Sequence, residues 1–385
     1  MYLPAELDLR TTAHLPSKVH PFGIGYTMHG WDYGRLEVEA AINAGRMLNP
    51  AAELASNVCA LNCFFCYTED PANQDGLKQK LSGEMNLQRK LELIDEFAAL
   101  GARSVNIVGA GEPLIDPDFW RWTSHIAESG MVPLVYTEGT AAGNYRKGLH
   151  NPEVAQRLYE LGATVVLKVN SLADHDYQNR IVMSGDRARK KPLRLDYFAL
   201  RQQALATLIA TGFTRHDPTR LGFDTIVCRE NYAEILDIHR YARDNNIFVL
   251  FVNYLPSGRS TTPLQNAISR DEEYALFQAI AEYDARQHQL VHDAHYPYAG
   301  GVPCTIRGTG VLVRIQGSVW DCPGMSEHLG ELSQAPLAQL YGDWIRRRQT
   351  FDGGCPPRDM AMGAYHKVQV IRRIERSGRQ EPVLL

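Results

Sequence analysis

The sequence predicts an α/β protein built on a partial TIM-type (β/α)6 barrel, followed by a smaller unit with a β-hairpin and a helix. Two observations predict it. From about residue 54 to residue 290, short β-rich runs alternate with amphipathic stretches, and such alternation gives a parallel sheet with helices on its outer face. Beyond residue 290, glycine, proline and cysteine cluster and the helical stretches shorten. The chain has 385 residues, 44% of them hydrophobic, enough for one large or two moderate domains with a full core.

The elements follow in order. Residues 53–58 read as the first strand. Residues 86–100 read as a helix, with Leu87, Leu91, Ile94 and Ala98 at helical spacing. Strand 104–108, helix 119–128 and strand 132–137 come next. Helix 153–161 then precedes strand 164–169, and helix 197–211 precedes strand 221–228. Helix 232–243, strand 247–255 and helix 271–287 close the series, giving about six units in all. In barrels of this kind the chemistry sits at the C-terminal ends of the strands. The expected division is 1–53 as an extension or cap, 54–290 as the barrel, 291–365 as the second unit and 366–385 as a tail. Residues 1–53 are too few for a sizeable peptide-recognition domain.

A net charge of −4 argues against bulk nucleic-acid binding. No apolar run approaches the length of a membrane span, and the start Met1-Tyr2-Leu3-Pro4-Ala5-Glu6 lacks the pattern of a signal peptide. A cytoplasmic location with reduced thiols is therefore expected. Seven cysteines, an odd count, suit metal ligation better than disulfides.

Three of them form Cys59-x3-Cys63-x2-Cys66, just after the first expected strand. Three thiolates at this spacing wrap one face of an iron–sulfur cluster and leave one iron open to a small-molecule cofactor. A zinc site is the alternative, but it wants a fourth ligand nearby, and none follows in sequence. After the second strand comes Gly109-Ala110-Gly111-Glu112-Pro113.

Together the triad, with aromatic Phe65 inside it, and this glycine-rich turn resemble the radical S-adenosylmethionine (radical SAM) superfamily. One glycine of the usual Gly-Gly-Glu-Pro motif is replaced by Ala110. The resemblance implies a [4Fe–4S] cluster on Cys59, Cys63 and Cys66, with S-adenosylmethionine on its open iron. It also implies that Phe65, Tyr67, Gly109, Ala110, Gly111 and Pro113 lie against that cofactor. By the same resemblance, Glu112 would accept from its methionyl ammonium. Further carry-overs are Asn170 and Ser171 on the ribose, Arg180 on the carboxylate, and Tyr254 or Leu255 at the adenine. The run Pro256-Ser257-Gly258-Arg259 is frequent in the same family.

In the tail, Cys304-x12-Gly317-x4-Cys322 resembles the opening of a SPASM or twitch domain, with a hairpin over residues 311–315 and 319–320. Cys355 stands alone where that family often adds a Cys-x2-Cys pair. The resemblance implies a second [4Fe–4S] auxiliary cluster on Cys304, Cys322 and Cys355; its fourth iron is either open or held by a non-cysteine group, for which Arg358 and Asp359 are candidates by position only.

The last cysteine, Cys228, ends the fifth strand. Alternation puts Asp224, Ile226 and Cys228 on the barrel-facing side, so Cys228 is expected at the active-site mouth. A thiol there could return a hydrogen atom to a substrate radical, as in radical SAM epimerases; the plain alternative is a small buried hydrophobe. The basic run Arg187, Arg189, Lys190, Lys191 and Arg194 reads as a solvated loop. The expected function is epimerisation at a carbon of a small sugar, cyclitol or aminoglycoside-type molecule. Radical dehydrogenation of a secondary alcohol, peptide maturation and a non-catalytic iron–sulfur role are the alternatives. The expected partners are the small-molecule substrate and a reductant such as flavodoxin or ferredoxin, with no nucleic acid and no membrane.

Overall fold

A computed structural model describes residues 28–31, 33, 35–68, 78–183, 195–254, 258, 266–289, 309–325 and 327–347. Leu255, Cys304, Cys355, Arg358, Asp359 and the basic run from Arg187 to Arg194 lie outside the described residues.

Helix α1 (Arg35–Asn43) leads to strand β1 (Ala51–Ala52), then α2 (Leu87–Ala99) and β2 (Ser104–Ile107). The alternation continues through α3 (Phe119–Glu128), β3 (Val132–Thr137), α4 (Pro152–Glu160) and β4 (Thr164–Lys168). Helices α5 (His175–Met183) and α6 (Tyr197–Thr211) precede β5 (Leu221–Val227). After it come α7 (Ile235–Asp244), β6 (Phe248–Asn253) and α8 (Arg270–Tyr283). The last described elements are β7 (Leu312–Val313), β8 (Ser318–Trp320), β9 (His328–Glu331) and α9 (Leu337–Arg347).

One open sheet of nine strands runs β6-β5-β4-β3-β2-β1-β7-β8-β9. It is parallel from β6 to β7 and antiparallel from β7 to β9. This is the expected open α/β barrel. Its outer wall is made as the periodicity requires. Helix α2 is capped by the Asn86 side chain and buries Leu93, Ile94 and Phe97. Helix α3 buries Phe119, Trp122 and Ile126 against the same layer.

Two differences from the sequence reading matter for the site. The first strand is Ala51–Ala52, and residues 53–58 form the loop that climbs to the cysteines. The Asp116 carboxylate takes the Ser56 N–H at 2.8 Å and the Glu84 carboxylate takes the Asn57 N–H at 3.0 Å. Those donors are thereby lost to any strand ladder. Strand β5 likewise stops at Val227, because the Cys228 N–H donates to Asn231 Oδ1 at 2.9 Å. Helices α1 and α5 are additional to the elements that the apolar spacing predicts.

The hairpin β7–β8 extends the barrel's own sheet. Strand β7 pairs in parallel with β1, Ala51 opposite Leu312 and Ala52 opposite Val313. Just beyond β1, buried Glu53 accepts from Ile315 N–H at 3.0 Å and pairs with Arg314 at 3.2 Å. Helix α9 ties to the barrel through Tyr341 O–H donating to Arg46 C=O at 2.9 Å.

The segment from Met28 to Trp31 seals the barrel's lower mouth. His29 N–H donates to Thr219 C=O at 2.8 Å, Thr164 Oγ1 donates to His29 C=O at 2.9 Å, and Ser104 Oγ donates to Gly30 C=O at 2.6 Å. These partners stand at the N-terminal ends of β5, β4 and β2. Gly222 makes the plug possible, because a Cβ there would lie 2.6 Å from Met28 Sδ. Fully buried Met28 fills the space that an interior side chain of β5 would otherwise take.

Candidate active site

A cavity of about 350 Å³ opens at the C-terminal ends of the strands. Cys59, Cys63 and Cys66 line it, with Phe65, Tyr67, the whole turn from Gly109 to Pro113, and Tyr254. Most of the sequence-predicted site is therefore brought together.

Gly111 explains how the turn and the cysteine loop are fitted to each other. A Cβ on it would stand 2.1 Å from Val58 C=O and 2.4 Å from Ser56 C=O. Only glycine lets the turn lie directly on the loop. Glu112 N–H donates to Val58 C=O at 3.1 Å across the same contact. Ala110 is tolerated because its φ is not positive. Its carbonyl accepts from Thr68 Oγ1 at 3.1 Å and from Lys78 Nζ. Gly258, of the expected Pro-x-Gly-Arg run, packs on the backbone of Cys66 and Tyr67.

Burial, then the Glu112 carboxylate, pushes the Cys59 thiol up to about 12. Burial, then the Cys59 thiol, also raises Cys63. Iron must displace these protons to bind. Among the described residues no three cysteine, histidine or carboxylate groups converge on one metal ion. A cluster asks for a different arrangement, with thiolates that reach separate irons around one cavity.

Glu112 and Glu138 form a buried carboxylate pair. Glu112 accepts from Leu114 N–H at 3.0 Å, Glu138 N–H at 3.0 Å and the Thr137 hydroxyl. Glu138 accepts from Thr140 N–H and Ala142 N–H, both at 2.9 Å. Burial and then the Glu138 charge push Glu112 up to about 8, and burial raises Glu138 as well. Neither carboxylate pairs with a cationic side chain among the described residues. Two buried acceptors without a cation are what a ligand's ammonium group would satisfy, so these residues fit the amino end of S-adenosylmethionine.

The pair has a consequence for the cofactor-free protein. A carboxylate whose folded pKa lies above its unfolded value favours the fold most below the unfolded pKa of about 4.5, and that contribution is lost as pH rises toward about 8. Glu112→Gln is expected to lose less stability than the parent between pH 5.5 and 8, read by urea denaturation. An equal loss would show that the pair does not titrate as described.

Four expected residues do not line the cavity. Cys228 is 1% exposed, with its thiol 3.3 Å from the Tyr177 hydroxyl and 3.4 Å from Asn231 Oδ1. The alternation that turns Asp224 and Ile226 inward ends with the strand, one residue before Cys228 is reached. It is thus a buried thiol and not a group at the active-site mouth. Arg180 is exposed and pairs with Glu230 at 3.2 Å. Asn170 and Ser171 are buried, and their N–H groups both donate to Gln178 Oε1.

The lining also includes Trp31, Lys78, Tyr136, Glu138, Lys168 and Leu250, which no sequence motif marks. Lys168 pairs with Asp224 at 2.9 Å and lies 4.6 Å over the Phe65 ring. Side-chain alternation along β3 and β4, which turns Leu134 and Val166 inward, turns Tyr136 and Lys168 inward as well. Cys322, at the end of β8, lines the same cavity as the triad, because β7 carries the hairpin alongside β1.

Residues 54–242 match the model of the radical SAM superfamily. Over these residues the chain carries a radical SAM domain, and that superfamily works with a [4Fe–4S] cluster and S-adenosylmethionine. It is 26% identical over 202 residues to GTP 3′,8-cyclase of Pseudomonas putida, covering 52% of each chain. It is 23% identical over 273 residues to the mycofactocin maturase MftC of Mycobacterium ulcerans, covering 69% of this chain and 65% of that one. The match thus spans between half and two thirds of these relatives. In fold it is similar to Streptococcus suis SuiB bound to its precursor peptide SuiA, with a TM-score of 0.51 and 14% identity, covering 84% of this chain and 75% of that one.

Proposed function

We propose that the protein dehydrogenates a hydroxyl-bearing carbon of a small molecule held inside the barrel. The lining of the cavity carries this reading: Cys322 stands on it and Cys228 does not. Epimerisation needs a hydrogen-atom donor within reach of the substrate carbon, and Cys228, the donor expected from the sequence, is enclosed by Tyr177 and Asn231.

On Cys59, Cys63 and Cys66, the cluster with S-adenosylmethionine would supply a carbon radical able to take a hydrogen atom from an unactivated C–H bond. A reductant such as flavodoxin or ferredoxin provides the initiating electron. Cys322, with Cys304 and Cys355, is the proposed holder of a second [4Fe–4S] cluster, which would supply an acceptor for one electron. The chain's own residues do the rest. Glu112 and Glu138 receive the cofactor's ammonium. Asp224, fixed by Lys168 at 2.9 Å, accepts the substrate's hydroxyl proton. Phe65, Ile226 and Val252 keep water from the reacting carbon. The substrate's CH–OH unit loses a hydrogen atom, a proton and an electron and becomes C=O.

The same oxidation on a residue of a peptide is the second reading. It is supported by the match to a protein named as a maturase over 69% of this chain. A cytoplasmic setting is part of the proposal, since the thiols must stay reduced. No helix among the described residues is long and apolar enough to cross a membrane.

Turnover in heavy water tests the reading. The expected product is two hydrogens lighter than the substrate, with no deuterium at the reacting carbon. A product that keeps the substrate's composition and gains one deuterium there would establish epimerisation instead.

A further inference from the structure

The barrel's interior is layered. Leu134, Val166, Phe248 and Leu250 pack on Met28 and Trp31 at the lower end. Above that layer the cavity floor is Trp31, Tyr136, Leu250 and Val252, with Trp31 and Tyr136 edge to face at 6.2 Å. Asp224 is in register with Lys168 on one side and Leu250 on the other, so the polar pair adjoins the apolar floor.

We infer that the substrate is amphipathic: a ring-sized apolar group rests on Trp31 and Tyr136 while a hydroxyl meets Asp224, and Trp31 sets the depth of the pocket. This deepens the proposed function and rests on its placing of the substrate in the barrel. Trp31 comes from the plug, outside the barrel's own strands, and is 3% exposed. It closes the cavity at the point where the strands alone would leave it open. A cyclitol hydroxylated all round, the class expected from sequence, would press hydroxyls onto the ring faces and onto Leu250 and Val252, which offer no hydrogen bond in place of the water lost. An alcohol with one apolar end instead removes that end from water and keeps its hydroxyl bonded.

The test uses reconstituted holoenzyme with two probes, 1-phenylethane-1,2-diol and myo-inositol, and reads binding by saturation-transfer NMR. The diol is expected to bind and myo-inositol to show no binding. Trp31→Ala is expected to weaken the diol at least tenfold, and Trp31→Phe several-fold, with myo-inositol still unbound. Should Trp31→Ala fail to fold, Trp31→Phe decides. Equal binding of the two probes, or diol affinity unmoved in the folded Trp31 variants, overturns the inference. Loss of all S-adenosylmethionine cleavage in the parent would instead strike the radical reading, so the two failures are distinguishable.

Discussion

Gly111→Val is expected to abolish iron binding at the triad although it touches no thiol. Its Cβ would stand 2.1 Å from Val58 C=O, far inside van der Waals contact. Overpacking of a tight interior costs about 1–3 kcal/mol where neighbours can yield. Here they cannot yield cheaply. Ser56 N–H is held by Asp116 at 2.8 Å, Asn57 N–H by Glu84 at 3.0 Å, and Ser56 Oγ by Glu84 at 2.7 Å. On the other side Glu112 is locked by its three hydrogen bonds in the Thr137–Glu138 corner. The cysteine loop must therefore leave the turn, and the thiols lose their common cavity. After anaerobic reconstitution, iron should fall by one cluster's share and 5′-deoxyadenosine formation should drop to background, with far-UV circular dichroism retained. Full iron content in the variant would mean that the loop is not held by this contact.

Cys322→Ser is expected to separate hydrogen abstraction from oxidation. Serine keeps the size of the side chain but is a poor ligand for iron. The strand pairing that carries the hairpin, Ala51–Leu312 and Ala52–Val313, does not involve the thiol, and neither do the Glu53 contacts. The triad and the Glu112–Glu138 corner are likewise left intact. Cleavage of S-adenosylmethionine should continue at near the parent rate while oxidised product falls to background.

Much of this architecture is legible in the amino-acid sequence because the barrel depends on local periodicity. Strand 132–137 and helices 119–128 and 197–211 fall where the spacing of apolar residues puts them. The triad and the turn from Gly109 to Pro113 are legible because each is a short motif at a strand end. What the sequence hides is set by distant partners. Residues 53–58 have the composition of a strand, but Asp116 and Glu84 claim their N–H groups, and neither partner can be read locally. Cys228 follows an alternation that ends one residue too early, because the Asn231 side chain caps its backbone. The stretch around Met28 and Trp31 has no period, since it is a plug shaped by Gly222, nearly two hundred residues away in sequence. The place of Cys322 beside the triad depends on the β1–β7 pairing, which no motif announces.

The most direct test is the ratio of oxidised product to 5′-deoxyadenosine in Cys322→Ser and Cys228→Ala, measured side by side with the parent. The predicted result is a ratio that collapses in Cys322→Ser and stays at the parent value in Cys228→Ala. Collapse in Cys228→Ala, with Cys322→Ser unchanged, would contradict the account and return the buried thiol to the centre of the chemistry.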